Sequence, residues 1–235
     1  MLLAADLHIH SCLSPCGDMA MTPNNLVNMA YIKGLELIAL SDHNSAKNLP
    51  AAQAVAEERG ILLLPALEVE SREEVHVLCY LPDVKTALEF GEEIRSRLPD
   101  IENTPEFFGR QVIMDAEDRP VGEEGRLLIQ STSLSIEALS ALCRSAGGVP
   151  VPAHINRSSN ALLSNLGFIP PGPRFTAVEV YRKLPPPALD LSRYHVLHAS
   201  DAHQLEDISE REFFLELPER SVKAALACLN AEKGL

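Results

Sequence analysis

Along the 235 residues, short β-like apolar runs alternate with segments of helical spacing. Residues 2–10 read as a first strand. Thr22-Pro23 then offers an N-cap with proline at the first helical position, Leu26, Met29 and Ala30 supply a helical stripe, and Gly34 a stop. A second strand is predicted over 35–40 and a second helix over 50–59, stopped by Gly60. The third strand, 61–69, has five aliphatic residues in its first seven. This βαβα order predicts a parallel sheet covered by helices. Further strands are expected over 75–81, 149–155, 177–181, 196–200 and 213–217, and helices over 83–97, 135–146 and 219–232.

Two stretches break the alternation, and the chain shows no internal repeat. Residues 111–128, centred on Asp118-Arg119-Pro120, read as a β-hairpin excursion. Residues 156–175, carrying Gly167, Pro170, Pro171, Gly172 and Pro173, read as a long loop. A loop of that length in a compact domain is either a lid or binding loop or an inert insertion. The number of strands favours a closed or nearly closed barrel over an open doubly wound sheet, and either places a site at the carboxyl ends of the strands.

Composition narrows the class. With 46% hydrophobic and 23% charged residues, the chain has the profile of one globular domain with a sizeable core. Twenty Lys and Arg against 33 Asp and Glu leave a net charge of −13, which argues against holding nucleic acid or an anionic membrane by bulk attraction. An anionic substrate then needs local cations. The five cysteines form no paired spacing, which suits a reducing compartment. No apolar run approaches the roughly 18 to 20 residues that span a bilayer. The start, Met1-Leu2-Leu3-Ala4-Ala5-Asp6, lacks the basic residues of an export signal, so a cytoplasmic location is expected.

The histidines change the picture most. Residues i and i+2 of a strand point to one face, so His8 and His10 of Asp6-Leu7-His8-Ile9-His10 can converge while Leu7 and Ile9 face the helix layer. Asp201-Ala202-His203 repeats that spacing after a second apolar run. Asp42-His43 follows Leu37-Ile38-Ala39-Leu40, Glu68 follows the apolar run 62–67, His76 lies within the run 75–78, and His154 follows Val149 and Val151. Any one buried histidine is usually satisfied by backbone groups. Six strand ends delivering imidazoles and carboxylates to one barrel mouth would be costly without a cation. A nitrogen and oxygen set without thiolate suits Zn, Mn or Fe, and so many donors call for more than one ion.

The set His8-x-His10, Asp18, Ser41-Asp42-His43-Asn44, Glu68, His76, His154 and Asp201-x-His203 resembles the signature of the PHP (polymerase and histidinol phosphatase) family of metal-dependent phosphoesterases. The resemblance runs from Asp6 to His203. It implies a distorted, TIM-like (β/α)7 barrel as a single catalytic domain over the whole chain, with insertions at 108–130 and 156–175, and a trinuclear metal centre. On that pattern the first ion is held by His8, His10, Glu68 and Asp201, the second by His76 and His154 with Glu68 as bridge, and the third by Asp18, His43 and His203. Asp18 stands where many members have a histidine.

The expected activity is hydrolysis of a small phosphate ester, monoester before diester. Clustered divalent ions lower the pKa of a shared water, so that a metal-bound hydroxide attacks phosphorus without a Ser or Cys nucleophile. Asp42 is assigned with the catalytic residues, in a supporting rather than ligating role, since it points to the other side of the chain from His43. Arg157, three residues after His154, is the expected phosphate-binding cation, a spacing that resembles the arrangement in monophosphatase-type members. Arg72, Arg174 and Arg182 read as solvated surface residues. Cys12 and Cys16 follow His10 on a loop bent by Pro15 and Gly17, and neither is expected to ligate. His195 and His198 are bystanders. Long nucleic acid is a disfavoured substrate. The alternatives are an amidohydrolase-like hydrolase of C–N or C–O bonds, which usually bridges its metals with a lysine absent from these strand ends, and a non-catalytic metal-binding domain.

Overall fold

The computed structural model describes residues 1–233. The element order is β1 (Leu2–Ile9), α1 (Pro23–Ile32), β2 (Leu37–Leu40), α2 (Leu49–Arg59), β3 (Leu62–Glu70) and β4 (His76–Tyr80), then α3 (Val84–Arg97), α4 (Pro105–Phe108), β5 (Val112–Met114) and β6 (Pro120–Glu123). It continues with α5 (Ile136–Ser145), β7 (Val149–Pro152), α6 (Leu162–Leu166), β8 (Ala177–Glu179), β9 (His195–Leu197), β10 (Phe214–Glu216) and α7 (Val222–Asn230). Three predicted helix starts hold, while the last helix, expected from 219, begins at Val222 behind a Ser221 cap. Thr22, Asp83 and Ser135 each accept from the backbone N–H three residues on, and Gly60 closes α2 in the left-handed conformation.

The architecture is mixed α/β, with a six-stranded sheet in the order β10-β1-β2-β3-β4-β7 and separate pairs β5-β6 and β8-β9. The prediction of a parallel sheet holds for β1-β2-β3 and for β8-β9. It fails at β3-β4, β4-β7 and β1-β10, which are antiparallel. The reason is connection length: the five residues 71–75 between β3 and β4 can only turn back, whereas a parallel crossover needs a dozen or more. The excursion at 111–128 is the hairpin β5-β6, as expected. The long loop at 156–175 holds the five-residue helix α6, and α4 was also unforeseen; both are too short for a hydrophobic period.

The sheet curls. Leu3, Ala5, Leu7, Leu37, Ala39, Leu64, Ala66, Leu78, Tyr80 and Val151 fill its inner side, where α7 packs with Leu226 and Leu229. Ile38, Leu40, Leu63 and Leu67 face the other way, against Leu26, Ala52, Val55, Phe90 and Leu139 of the helices. The expected shared facing of Leu7 and Ile9 does not hold. The register of β1 on β2 slips between Asp6 and Ile9, so Leu7 lies inside and Ile9 on the helix side. Tyr80 is fully buried, and its hydroxyl donates to the Leu7 carbonyl at 2.9 Å inside that irregular stretch. Backbone bonds from Ile155 N to Glu179 O (2.9 Å) and from His10 N to Ala202 O (3.0 Å) tie β7 to β8 and β1 to the segment after β9. No helix among the described residues is long and apolar enough to cross a membrane.

Candidate metal centre

The carboxyl ends of β1, β2, β3, β7, β8 and β9 and the start of antiparallel β4 face one mouth, and Glu68 is its hub. Glu68 Oε1 lies 2.9 Å from His76 Nδ1, 3.1 Å from His154 Nε2 and 3.4 Å from His8 Nε2. Its Oε2 lies 3.1 Å from His43 Nδ1 and 3.3 Å from His10 Nε2. Asp201 Oδ1 stands 3.3 Å from His8 Nε2 and 3.2 Å from His10 Nε2, and the His203 ring stacks on His10 with centroids 4.2 Å apart.

Three groups are compact enough to share an ion: His8, His10, Glu68 and Asp201; His43, Glu68 and His76; and His10, His43 and His203. The first is the predicted set. The second contains His76 and Glu68 of the predicted set but has His43 in place of His154, which reaches the same carboxylate oxygen as His76. The third contains His43 and His203, but the structure does not bring the Asp18 carboxylate into it. Asp18 is exposed, its Oδ1 accepts from Ala20 N at 2.7 Å, and it meets the mouth only through its backbone N–H, which donates to the His203 carbonyl.

Hydrogen bonds around the cluster fix which ring nitrogens are bare. Asp42 accepts from Ser11 N (2.7 Å), Ser11 Oγ (2.6 Å) and Ser14 Oγ (2.7 Å). Ser14 has spent its only proton on that carboxylate, so it accepts from His10 Nδ1 at 2.9 Å and His10 Nε2 carries a lone pair. His8 Nδ1 donates to Glu179, 3.1 Å from both carboxylate oxygens, which leaves Nε2 of His8 bare as well. These two lone pairs face each other at 3.0 Å, between the carboxylates of Glu68 and Asp201. The nest is made of acceptors, and only a cation can fill it. Asp201 Oδ1 and His154 Nδ1 are buried without a hydrogen-bond partner, so the residues present fit a divalent ion with nitrogen and oxygen ligands.

Electrostatics tells the same story with protons in place of ions. Burial opposes ionisation of Glu68, yet His76, His8 and His43 overrule it and hold the carboxyl well below the usual range. Asp201 is lowered by His8 and His10 against the same burial penalty. Burial likewise works against charge on His76, but Glu68 and Glu70 hold it up at about 9. His203 goes the other way. Burial and then the neighbouring His10 push it down to about 3, so it stands neutral, in the form that ligates. Two candidate ligands carry backbone strain, His154 at φ 28° and Asp201 at φ 52°, as is common where geometry serves a site.

Asp42 lies beyond the cluster and reaches it through Ser14 and His10. Arg157 is at the mouth's edge: Nη1 is 2.6 Å from Asp201 Oδ2, and the guanidinium lies 4.2 Å over the Tyr181 ring. Cys12 is buried and its thiol is pushed up to about 12, first by burial and then by Asp42. His195 Nε2 and His198 Nδ1 bond the carbonyls of Ala231 and Val180, away from the cluster. Sequence reasoning missed Ser11, Ser14 and Glu179. Glu179 had a signal, an acid closing the apolar run Ala177-Val178 as Glu68 closes its own strand.

No protein-family model matches the sequence. Among curated proteins, a 5′-3′ exoribonuclease of Haemophilus influenzae is 34% identical over 76 residues, 31% of this chain and 27% of that protein. A 3′,5′-nucleoside bisphosphate phosphatase of Chromobacterium violaceum is 38% identical over 76 residues, 31% of this chain and 26% of that protein. The chain thus matches about a quarter of the length of these relatives. Among solved structures, a lesion-specific endonuclease of Pyrococcus furiosus superposes with a TM-score of 0.65 at 18% identity, covering 97% of this chain and 56% of that one. A protein of Bifidobacterium adolescentis assigned as a metal-dependent phosphoesterase gives 0.62 at 19% identity, covering 97% and 96%. The fold shared with these structures over 97% of the chain, and the ligand constellation gathered at one mouth, are consistent with the PHP family that the sequence resembles.

Proposed function

We propose that the chain is a metal-dependent phosphoesterase acting on small phosphate esters, monoesters before diesters. The observation that carries this reading is the nest of bare acceptors with a guanidinium on its rim. Three divalent ions, Zn, Mn or Fe, are the expected occupants. Bound there, such ions supply a water ionised near neutral pH and neutralise charge on the phosphate oxygens. His8, His10, Glu68 and Asp201 would hold the first ion, and Glu68 with His76 and His154 the second. His43 and His203 would hold the third, with His10 beside them where Asp18 was expected. Ser14 and Asp42 keep His10 in its ligating form. Arg157, stacked on Tyr181, presents its remaining N–H groups to phosphate oxygens and supplies the local cation that a chain of charge −13 requires.

The same reading takes β1, β2, β3, β4, β7, β8 and β9 as the staves of a distorted (β/α)7 barrel, one catalytic domain with insertions at 108–130 and 156–175. The free cysteines suit a cytoplasmic setting. A second reading, in which a nucleic acid end carries the phosphate, is favoured by the exoribonuclease among the relatives. The test is turnover by metal-loaded protein on p-nitrophenyl phosphate, a bis-nitrophenyl diester, a 5′-phosphorylated oligoribonucleotide, and amide and lactone panels. Highest kcat/KM on the monoester is expected, and preference for the oligonucleotide would select the second reading. Turnover of amides alone would sink the phosphoesterase reading, and inertness on every substrate would point to a metal-binding domain without catalysis.

A further inference from the structure

We infer that Glu179 is a positioning residue that couples two ion positions, by fixing the ligating face of His8 and the backbone of His154 with one carboxylate. The inference rests on the metal reading above. Glu179 closes β8 and is buried, 1% exposed. Among the described residues no Lys or Arg lies within ion-pair distance of it; its ionic partner is His8. A buried carboxylate without a fixed cation is costly to keep, so its place beside the cluster calls for a reason.

Geometry supplies one. Both carboxylate oxygens sit 3.1 Å from His8 Nδ1, and Oε2 also accepts from His154 N at 2.7 Å. The first contact keeps the proton of His8 on Nδ1 and turns the lone pair of Nε2 toward Asp201 and His10. A carboxylate in that position also raises the basicity of the ligating nitrogen. The second contact holds the His154 amide where φ is 28°, a conformation a non-glycine residue adopts only when its surroundings enforce it. With the backbone so pinned, His154 Nε2 reaches Glu68 Oε1 at 3.1 Å. His8 belongs to the first proposed ion position and His154 to the second, so the two share one anchor as well as the Glu68 bridge. Glutamine replaces it poorly: with its oxygen in the place of Oε2, its NH2 group would stand in the place of Oε1, 3.1 Å from His8 Nδ1, a donor against a donor, and the negative charge that raises the basicity of His8 would be gone.

The experiment uses the full chain, stripped with a chelator and titrated with Mn2+ by calorimetry, as wild type and as Glu179→Gln. Ring-nitrogen NMR is recorded on the Zn-loaded wild type. We expect the variant to keep its metal-free circular dichroism and to lose about 10- to 100-fold in affinity at two ion positions together. At saturating Mn2+, its kcat on p-nitrophenyl phosphate should approach the wild-type value with KM unchanged. The His8 ring should carry its proton on Nδ1. Wild-type affinity in Glu179→Gln, a loss confined to one ion, or a proton on His8 Nε2 would each overturn the assignment. Should the variant fail to fold, the wild-type ring spectrum decides alone. A wild type that binds no divalent ion would overturn the metal reading and this inference with it, an outcome distinct from a wild type that binds and a variant that binds equally well.

Discussion

Raising the pH of the metal-free chain from 6.5 to 9 removes the protons that stand in for ions. His76 is the group to follow. Burial disfavours its charge, but Glu68, 2.9 Å away, and Glu70 outweigh that and hold its pKa at about 9 against the ordinary 6.5. A folded-state pKa above the unfolded one means a contribution present in full below pH 6.5 and lost as the pH climbs through 9. The gap between 6.5 and about 9, at about 1.36 kcal/mol per pH unit, is worth about 3 kcal/mol. At roughly 2–4 °C per kcal/mol for a chain of this size, the metal-free Tm should fall by roughly 6–12 °C across that window. His8, His10 and His43 are raised in the same direction and add to the fall. Saturating divalent ion replaces the protons, so the same scan on loaded protein should be markedly flatter. Below pH 6.5 His203 acts with the opposite sign: its lowered pKa gives stability that is lost as pH drops from 6.5 toward about 3. Circular dichroism melts at half-unit steps, with chelator and with metal, measure both limbs. A metal-free Tm that stays level or rises between pH 6.5 and 9, or a loaded protein that falls as steeply, would refute the proton-for-ion argument.

Four further outcomes are expected. Arg157→Ala should raise KM or lower kcat on p-nitrophenyl phosphate so that kcat/KM drops about 10- to 100-fold, about 1.5–3 kcal/mol for a hydrogen bond to a charged group, with metal stoichiometry by elemental analysis unchanged; normal kinetics would remove Arg157 from the site. Asp42→Asn should free the Ser14 proton to point at His10 and weaken metal binding by about tenfold or more, read by competition with a chromogenic chelator. His195→Ala and His198→Ala, whose rings bond carbonyls away from the cluster, should leave metal content at the wild-type value. Gly109→Ala should cost about 1–3 kcal/mol in urea unfolding, because Gly109 sits at φ 93° and a Cβ there would collide with the Pro15 carbonyl of the loop that follows His10.

Most of the mouth was legible because each apolar run stopped on a residue that can hold a cation, and a buried strand end is an expensive place for one. That pattern gathers the strand-end residues at one mouth, and the grouping of His8, His10, Glu68 and Asp201 on one ion came from the resemblance to the PHP family. Strand direction was less legible. The runs that became β3 and β4 read alike whichever way the second travels, and only the shortness of residues 71–75 distinguishes a return from a crossover. Simple alternation misplaced Leu7, since a one-residue register slip leaves no mark in composition. Asp18 lay on a loop where side-chain direction is set by local turns, and its carboxylate closes one on Ala20 instead of reaching the cluster. Ser14 and Glu179 escaped notice because their roles lie in the partner each bonds, which spacing along the chain does not encode.

The strand that carries His8 and His10 is flanked by opposite parts of the chain: Leu2, Leu3 and Ala4 of β1 pair with Glu216, Leu215 and Phe214 of β10, while its other half pairs with β2. During synthesis, at about 5–20 residues per second, β1 must then wait roughly 10–40 s before its antiparallel neighbour exists. Asp201 and His203 arrive almost as late. Pairings of such long sequence separation also put the fold among the slow, topology-limited folders. A nascent chain therefore lacks the full set of candidate ligands until Asp201 and His203 have been made, so the cluster follows the early strands and does not nucleate them.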